Sequence, residues 1–241
     1  MKSNLEAERA QAAQIQDQFT RQAEPFTAVV APSAADFLEI LVDAARIVPG
    51  DEAVDVACGP GVLTWAIAAK VAHVTGIDVV PAMLAKASDV QKATGVGNVA
   101  WREGSAYHLP FEDASFSLVV TRYSFHHLLN PIAALREMTR VCRPGGRVVV
   151  ADATPATDKA DAFNAYELMR DPSHCRALPL RKLQALADGL PLTLAQTVAC
   201  DHDIDLETIL KGSFPLPENV ERIRKMAYDD VGMAEFLSPQ R

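Results

Sequence analysis

Short apolar runs separated by stretches with helical periodicity organise the middle of this chain. Ala53–Ala57, His73–Ile77, Asn98–Trp101, Ser117–Thr121, Arg147–Asp152 and Leu192–Cys200 read as strands. Between them, Val62–Val71, Pro81–Thr94 and Pro131–Val141 place apolar residues at helical spacing,. Strands alternating with helices of about ten to fifteen residues predict a parallel, doubly wound α/β sheet with right-handed crossovers. Ligands in such sheets bind beyond the carboxyl ends of the strands, near the point where strand order reverses.

Three segments fall outside that alternation. Residues 3–24 form a polar amphipathic helix pattern, and Ala35–Ile47 a second helix before the first strand. Residues 155–189 contain the break Arg170-Asp171-Pro172-Ser173-His174, expected as a loop between two helices over the pocket. The tail has helix-like stretches around Leu206–Leu210 and Glu218–Ala227. The expectation is one domain over 1–241, divided into an N-terminal helical lid (1–48), a ligand-binding core (49–153), a small helical cap (154–190) and a C-terminal strand with helices (191–241),. Leu192–Cys200 is the last clear strand, and its edge invites pairing with a second copy, so a homodimer is an expectation.

Composition narrows the function classes. A net charge of −8 argues against a nucleic-acid footprint, and the basic run Arg222-Ile223-Arg224-Lys225 reads as a solvated helix face,. No apolar stretch reaches the roughly 18 residues of a membrane span, and the N-terminus lacks a basic-then-apolar leader. The four cysteines, Cys58, Cys142, Cys175 and Cys200, are scattered without a C-x-x-C pair, which reads as reduced thiols in a cytoplasmic protein,.

The chemistry gathers at the strand ends. Asp55 sits inside the first strand, and Gly59-Pro60-Gly61 follows as a tight turn before a helix, where backbone N–H groups can approach a ligand,. Dinucleotide binders favour a third glycine, but Thr64 occupies that place,. An acidic residue ahead of the turn suits a zwitterionic or cationic ligand better than a pyrophosphate. Asp78 ends the second strand, where a carboxylate can accept both hydroxyls of a ribose. Gly104-Ser105-Ala106 follows the third strand and Ser124-Phe125-His126-His127-Leu128 the fourth.

Taken in order, these motifs resemble class I S-adenosylmethionine (SAM)-dependent methyltransferases, in particular the group that includes the ubiquinone/menaquinone-biosynthesis C-methyltransferases. Leu109-Pro110-Phe111, Asn130-Pro131, Val141-Cys142-Arg143-Pro144-Gly145-Gly146 and the leader Asp17 to Phe26 extend the resemblance over about residues 15–200. It implies a Rossmann-like fold, SAM as cofactor with S-adenosylhomocysteine as product, and a small-molecule acceptor as partner. It also implies that Asp55 and the Gly59–Gly61 turn hold the methionine part, Asp78 the ribose, and Met83 and Ser105 the adenine, with Ala57, Cys58, Val79, Gly104, Ala106 and Thr121 as further cofactor contacts. Ser105 departs from the family's usual Asp and lacks the charge-assisted strength of a carboxylate.

His126 and His127 are the candidate bases, because imidazole accepts protons near neutral pH. Phe19, Arg122, Tyr123, Phe125, His174 and Arg176 are candidate substrate contacts, and Phe19 with Phe26 a candidate lid. No metal is expected, since adjacent histidines are anticipated to point in different directions without a third ligand nearby. The expected reaction is transfer of methyl to O or C of a partly apolar acceptor. Two rivals are a SAM-binding scaffold or cyclisation catalyst and an NAD-linked oxidoreductase, the latter disfavoured by Thr64 and Pro60.

Overall fold

The computed structural model describes residues 2–25, 35–200 and 206–229; the expected lid residue Phe26 and the tail after 229 lie outside them. Five parallel strands run in the order β3-β2-β1-β4-β5: β1 Glu52–Val56, β2 His73–Asp78, β3 Val99–Glu103, β4 Phe116–Arg122 and β5 Cys142–Ala151. Strand order reverses between β1 and β4, so the crevice expected of a doubly wound sheet opens above their carboxyl ends. The helices are α1 Lys2–Pro25, α2 Ala35–Ala44, α3 Val62–Ala68, α4 Pro81–Thr94, α5 Pro131–Val141, α6 Ala160–Arg170, α7 Leu180–Ala185, α8 Leu206–Ser213 and α9 Pro217–Asp229. No helix among the described residues is long and apolar enough to cross a membrane.

Local chemistry sets these boundaries. Pro81 and Pro131 sit at helix starts, where a missing N–H costs nothing, and Gly95 closes α4 in the left-handed conformation,. Ala53, Val74, Val99, Leu118 and Val120 pack with α2 and α3 on one sheet face; Val54, Val56, Ile77 and Val119 pack with α5 on the other. The central strands are buried on both faces and so read as mostly apolar runs, interrupted by Asp55 in β1 and by Ser117 and Thr121 in β4,. Tyr166 of α6 joins Leu206, Leu210, Ile223 and Ala227 in a separate cluster, so the tail helices belong with the cap.

Two expectations need correction. Leu192–Cys200 forms no strand. Most of it is exposed, and Gln196 is fastened by its side chain to Ala44 and Arg46 instead of by a backbone ladder. Leu192 packs at the margin of the core, whereas Leu194 and Val198 are exposed, so alternation alone does not make the segment pair. The fifth strand, expected over Arg147–Asp152, begins earlier, at Cys142, and carries an irregularity: Phe116 faces Cys142, whereas Leu118 already faces Arg147.

The glycine turn is set by its backbone conformation. Gly59 (φ 55°) and Gly61 (φ 85°) are both left-handed. A Cβ on Gly61 would lie 2.5 Å from Trp101, whereas one on Gly59 would meet nothing within 4 Å. Gly59→Ala should therefore cost about 1–2 kcal/mol of backbone strain. Gly61→Ala should cost a further 1–3 kcal/mol or so for the overlap. Urea denaturation of both variants measures the difference; equal losses would remove the Trp101 contact from the account.

Candidate active site

Register places Asp55, Gly76 and Asp78 on one sheet face, with Val120 and Arg122 of β4 beside them, because paired residues of parallel strands point the same way,. Asp78 Oδ2 accepts the Gly59 N–H at 2.7 Å and Oδ1 accepts the Val80 N–H at 2.8 Å. One carboxylate thereby ties the glycine turn to the start of α4. Burial raises the Asp78 pKa, partly countered by those two N–H groups. Asp55 is buried as well and accepts the Thr64 hydroxyl at 2.6 Å. Burial pushes its pKa up to about 7, against the Thr64 bond and the field of Arg122. Thr64, noticed in the sequence only as a missing glycine, is thus the residue that orients Asp55.

The other predicted ligand contacts surround this pair. Ala57 and Cys58 continue from β1 into the turn; Ala57 is left-handed (φ 56°) and Cys58 N–H bonds the Ile77 carbonyl. Gly104 N–H bonds the Asp78 carbonyl, and Ser105 Oγ accepts from Tyr107 N–H at 3.2 Å. Ala106 packs at the margin of the core on the α5 face. The Val79 carbonyl accepts from Gln16 of α1, and Met83 is buried with Ala23 of α1 and Val80. Thr121 Oγ1 donates to the Val56 carbonyl at 2.6 Å, locking the end of β4 to β1. The open space above Gly59 and the unshared lone pairs of Asp55 and Asp78 fit a ligand with an ammonium group and vicinal hydroxyls, as SAM has.

The second half of the site lies on one turn of 3-10 helix, Phe125–His127, directly after β4. Contrary to the expectation of divergent side chains, both histidines are buried, with ring centroids 4.3 Å apart. The backbone explains it: Tyr123 is left-handed (φ 51°), and the sharp turn folds both rings beneath the cap. His126 Nδ1 meets Asp152 Oδ1, whose carboxylate also accepts the His126 and Ala153 N–H groups. Burial disfavours the imidazolium, but the Asp152 charge and hydrogen bond prevail and raise the His126 pKa. Asp152 itself is held below the usual carboxylate range despite burial. An ionised Asp152 can only accept, so His126 carries its proton on Nδ1 and presents a bare Nε2 when neutral.

The cap loop completes the cluster. His127 Nδ1 donates to the Ser173 carbonyl at 3.1 Å, and the Ser173 hydroxyl donates to Asp171 at 2.6 Å. His174 Nε2 bonds Asn164 Oδ1 at 2.7 Å. The His126–His174 centroid distance is 5.5 Å, and Phe19 of α1 meets His127 edge-on at 5.0 Å. Gln11 of α1 donates to the carbonyls of His127 and Ser173, so α1 closes this corner. Burial, with the neighbouring His126 charge, lowers the pKa of both His127 and His174 to about 4.

Three predicted contacts stand apart. Phe125 is core, packed with Val119 and Leu135. Arg176 pairs with Asp161 at the surface, 2.7 Å away. Arg122 stacks on Tyr123 at 5.1 Å, and Tyr123 in turn stacks on Phe37. Asp152, Asn164, Asp171 and Ser173 escaped the sequence reading. The only signal for Asp152 was an acidic residue at the end of an apolar run, which by itself names no partner. No group of three or more His, Cys, Asp or Glu among the described residues is arranged to hold a metal ion.

Comparison with known proteins agrees with this geometry. The signature of the family described as "Methyltransferase domain" matches residues 54–150. The uncharacterized methyltransferase YcgJ of Bacillus subtilis is 31% identical over 170 residues, covering 70% of this chain and 67% of its own. Its crystal structure matches with a TM-score of 0.76 at 26% identity, covering 81% of this chain and 85% of that one. A demethylmenaquinone methyltransferase of Bacillus cytotoxicus is 37% identical over 112 residues, 45% of this chain. This chain spans only about half of that relative, 47% of its length. The [4+2]-cyclase SpnF matches at a TM-score of 0.52 and 25% identity, over 64% of this chain and 56% of its own.

The histidine cluster sets a pH dependence of stability. The folded pKa values of His127 and His174 lie below the ordinary 6.5, so the unfolded chain takes up protons first on acidification,. Their contribution is intact above 6.5 and drains away between 6.5 and about 4. His126, with its raised pKa, works in the opposite sense, and its share is lost as pH rises through that value. Asp55 and Asp78, whose pKa values burial raises, also favour folding as the pH falls, so the share of the histidines is read from a variant,. His174→Phe should lose less melting temperature than the parent chain between pH 6.5 and about 4, by on the order of 5 °C,. Parallel profiles for the two proteins in calorimetry would contradict the burial of a neutral His174 ring.

Proposed function

The chain belongs to the SAM-dependent methyltransferase family, and on that premise we propose that it methylates an oxygen or carbon of a small, partly apolar, aromatic or quinol-like acceptor. The observation that carries the reading is the Asp152–His126 pair at the carboxyl edge of the sheet, with His126 Nε2 left as a base. SAM supplies a methyl group on positively charged sulfur and departs as neutral S-adenosylhomocysteine. The residues of this chain therefore need only hold two molecules in line, accept one proton and exclude water. Alignment of this kind is worth about 7–11 kcal/mol.

Asp55 would hold the ammonium of the methionine part, in contact with the Gly59–Gly61 turn. Asp78 would accept the ribose hydroxyls with the lone pairs that Gly59 and Val80 leave over. Ser105, whose hydroxyl accepts from Tyr107 N–H, keeps its own hydrogen to donate toward the adenine edge. His126 would accept the acceptor's proton, Asp152 would steady the imidazolium, and Phe19 and Tyr123 would wall the acceptor side. Raising the His126 pKa makes it a stronger base but requires a pH above that value for it to be neutral,. A second reading, a SAM-binding catalyst without methyl transfer, draws support from the likeness to SpnF; release of S-adenosylhomocysteine in the presence of acceptor separates the two.

Asp55 provides the test of cofactor placement. Its pKa of about 7 means that a ligand requiring the carboxylate must expel a proton near neutrality,. Calorimetry should show S-adenosylhomocysteine binding that weakens by up to about tenfold per pH unit below 7, with proton release. Asp55→Asn should bind more weakly and lose that slope, whereas Asp152→Asn should leave binding unchanged. Absence of binding at any pH would overturn the proposal, and binding with a flat profile would reassign Asp55.

A further inference from the structure

Arg122 ends β4 with a charge that the protein leaves without an acceptor. Among the described residues its guanidinium enters no ion pair and no hydrogen bond; it lies over the Tyr123 ring, 5.1 Å from the centroid. Every other arginine of the described residues either has an acceptor or lies exposed, whereas Arg122 is partly buried. Burial pulls its pKa down, against the fields of Tyr123 and Asp55. A partly desolvated cation with five N–H donors is a costly arrangement unless a ligand supplies the acceptor.

The place of Arg122 narrows what that ligand is. Val120 of β4 pairs with Asp55 of β1. Arg122, two residues on, shares their sheet face and begins about 7 Å nearer the carboxyl edge, at a rise of about 3.3 Å per residue. The two strands flank the point where strand order reverses, which is where doubly wound sheets take ligands,. Asp55 and Arg122 each feel the other's charge but form no ion pair; the Asp55 carboxylate accepts the Thr64 hydroxyl instead. Opposite charges held near each other but apart suit a ligand that carries both signs, an ammonium for one and a carboxylate for the other. Tyr123 is itself stacked on Phe37 of α2, with centroids 5.3 Å apart and planes 14° apart. This stack anchors the guanidinium without using its N–H fork, the group that matches a carboxylate with two parallel hydrogen bonds.

We propose that Arg122 is a cofactor contact: its N–H fork takes the carboxylate of the methionine part of SAM, while Asp55 takes the ammonium on the same carbon. This rests on the reading of the crevice as a SAM site and moves Arg122 from the acceptor to the cofactor. Tyr123 and Phe37 are positioning residues for the guanidinium. With Asp78 on the ribose, the sulfur is held from both sides, which fixes the direction in which its methyl group points.

The test compares, by calorimetry on the full chain, S-adenosylhomocysteine with its decarboxylated analogue, which keeps the adenosine, the thioether and the amine. The parent chain should bind S-adenosylhomocysteine at least about tenfold tighter, the worth of one hydrogen bond to a charged group. In Arg122→Gln that ratio should fall toward one, with the analogue bound at least as tightly as before because a like charge has gone. A ratio unchanged in Arg122→Gln, even if both ligands bind more weakly, would overturn the assignment. Parent protein labelled with 15N-arginine decides the matter if the variant fails to fold. One guanidinium N–H signal should shift with S-adenosylhomocysteine and not with the analogue; no signal that tells the two apart would overturn the assignment. Benzoate added to protein saturated with S-adenosylhomocysteine should leave that signal unmoved. A guanidinium signal moved by benzoate and not by S-adenosylhomocysteine would give Arg122 to a carboxylate on the acceptor instead. If S-adenosylhomocysteine binds without preference over the analogue, this inference alone falls. If it does not bind, the functional reading falls with it.

Discussion

A single buried carboxylate holds the upper edge of this protein together. Asp78 receives one backbone N–H from the glycine turn after β1 and one from the start of α4, so two loops from neighbouring strands share one anchor. Each such charge-assisted bond is stronger than a neutral one, and together they offset part of the cost of burying the carboxylate, whose pKa stays raised,. The turn would otherwise be free to close over the crevice or drift from it. Thr121, bonded to the Val56 carbonyl, performs the same service between β1 and β4. The crevice at the reversal of strand order is therefore a set of cross-linked loops whose geometry exists before any ligand arrives.

Above that edge the protein tolerates an unusual density of buried polar groups. Three imidazoles, Asp152, Asp171 and the Glu167–Arg170 pair lie within one corner beneath α1. They persist because nearly every one is tied to a partner: His126 to Asp152, His127 to Ser173, Ser173 to Asp171, His174 to Asn164. Only one cation can be sustained among three adjacent rings. Asp152 decides that it is His126, and the resulting field helps to keep His127 and His174 neutral. The outcome is one base with a raised pKa beside two fixed acceptors, a division of labour that identical side chains acquire only from their surroundings.

The order of strands and helices was legible because buried parallel strands and amphipathic helices impose periodicity on their own residues. Pro81 and Pro131 marked helix starts that the structure keeps. The break at Arg170–His174 does fall between two helices. Leu192–Cys200 shows the limit: its apolar spacing resembled a strand, but strand formation needs a neighbouring edge as well as a pattern. Residues acting through distant partners were equally hidden. Asn164 lies mid-helix and resembles a surface polar residue until the cap brings His174 to it. Arg176, two residues beyond His174 and chemically attractive, turns outward to Asp161.

What the sequence alone determined was the doubly wound scaffold, the glycine turn and the two acidic strand ends, because each is written in contiguous residues with a characteristic spacing. The tertiary structure decided the protonation pattern of the histidines, the pairing of Asp152 with His126 and the closure of α1 over both. Those features depend on burial and on fields from groups far away in the chain. A linear pattern carries no measure of either, since desolvation and Coulomb interaction follow distance in space.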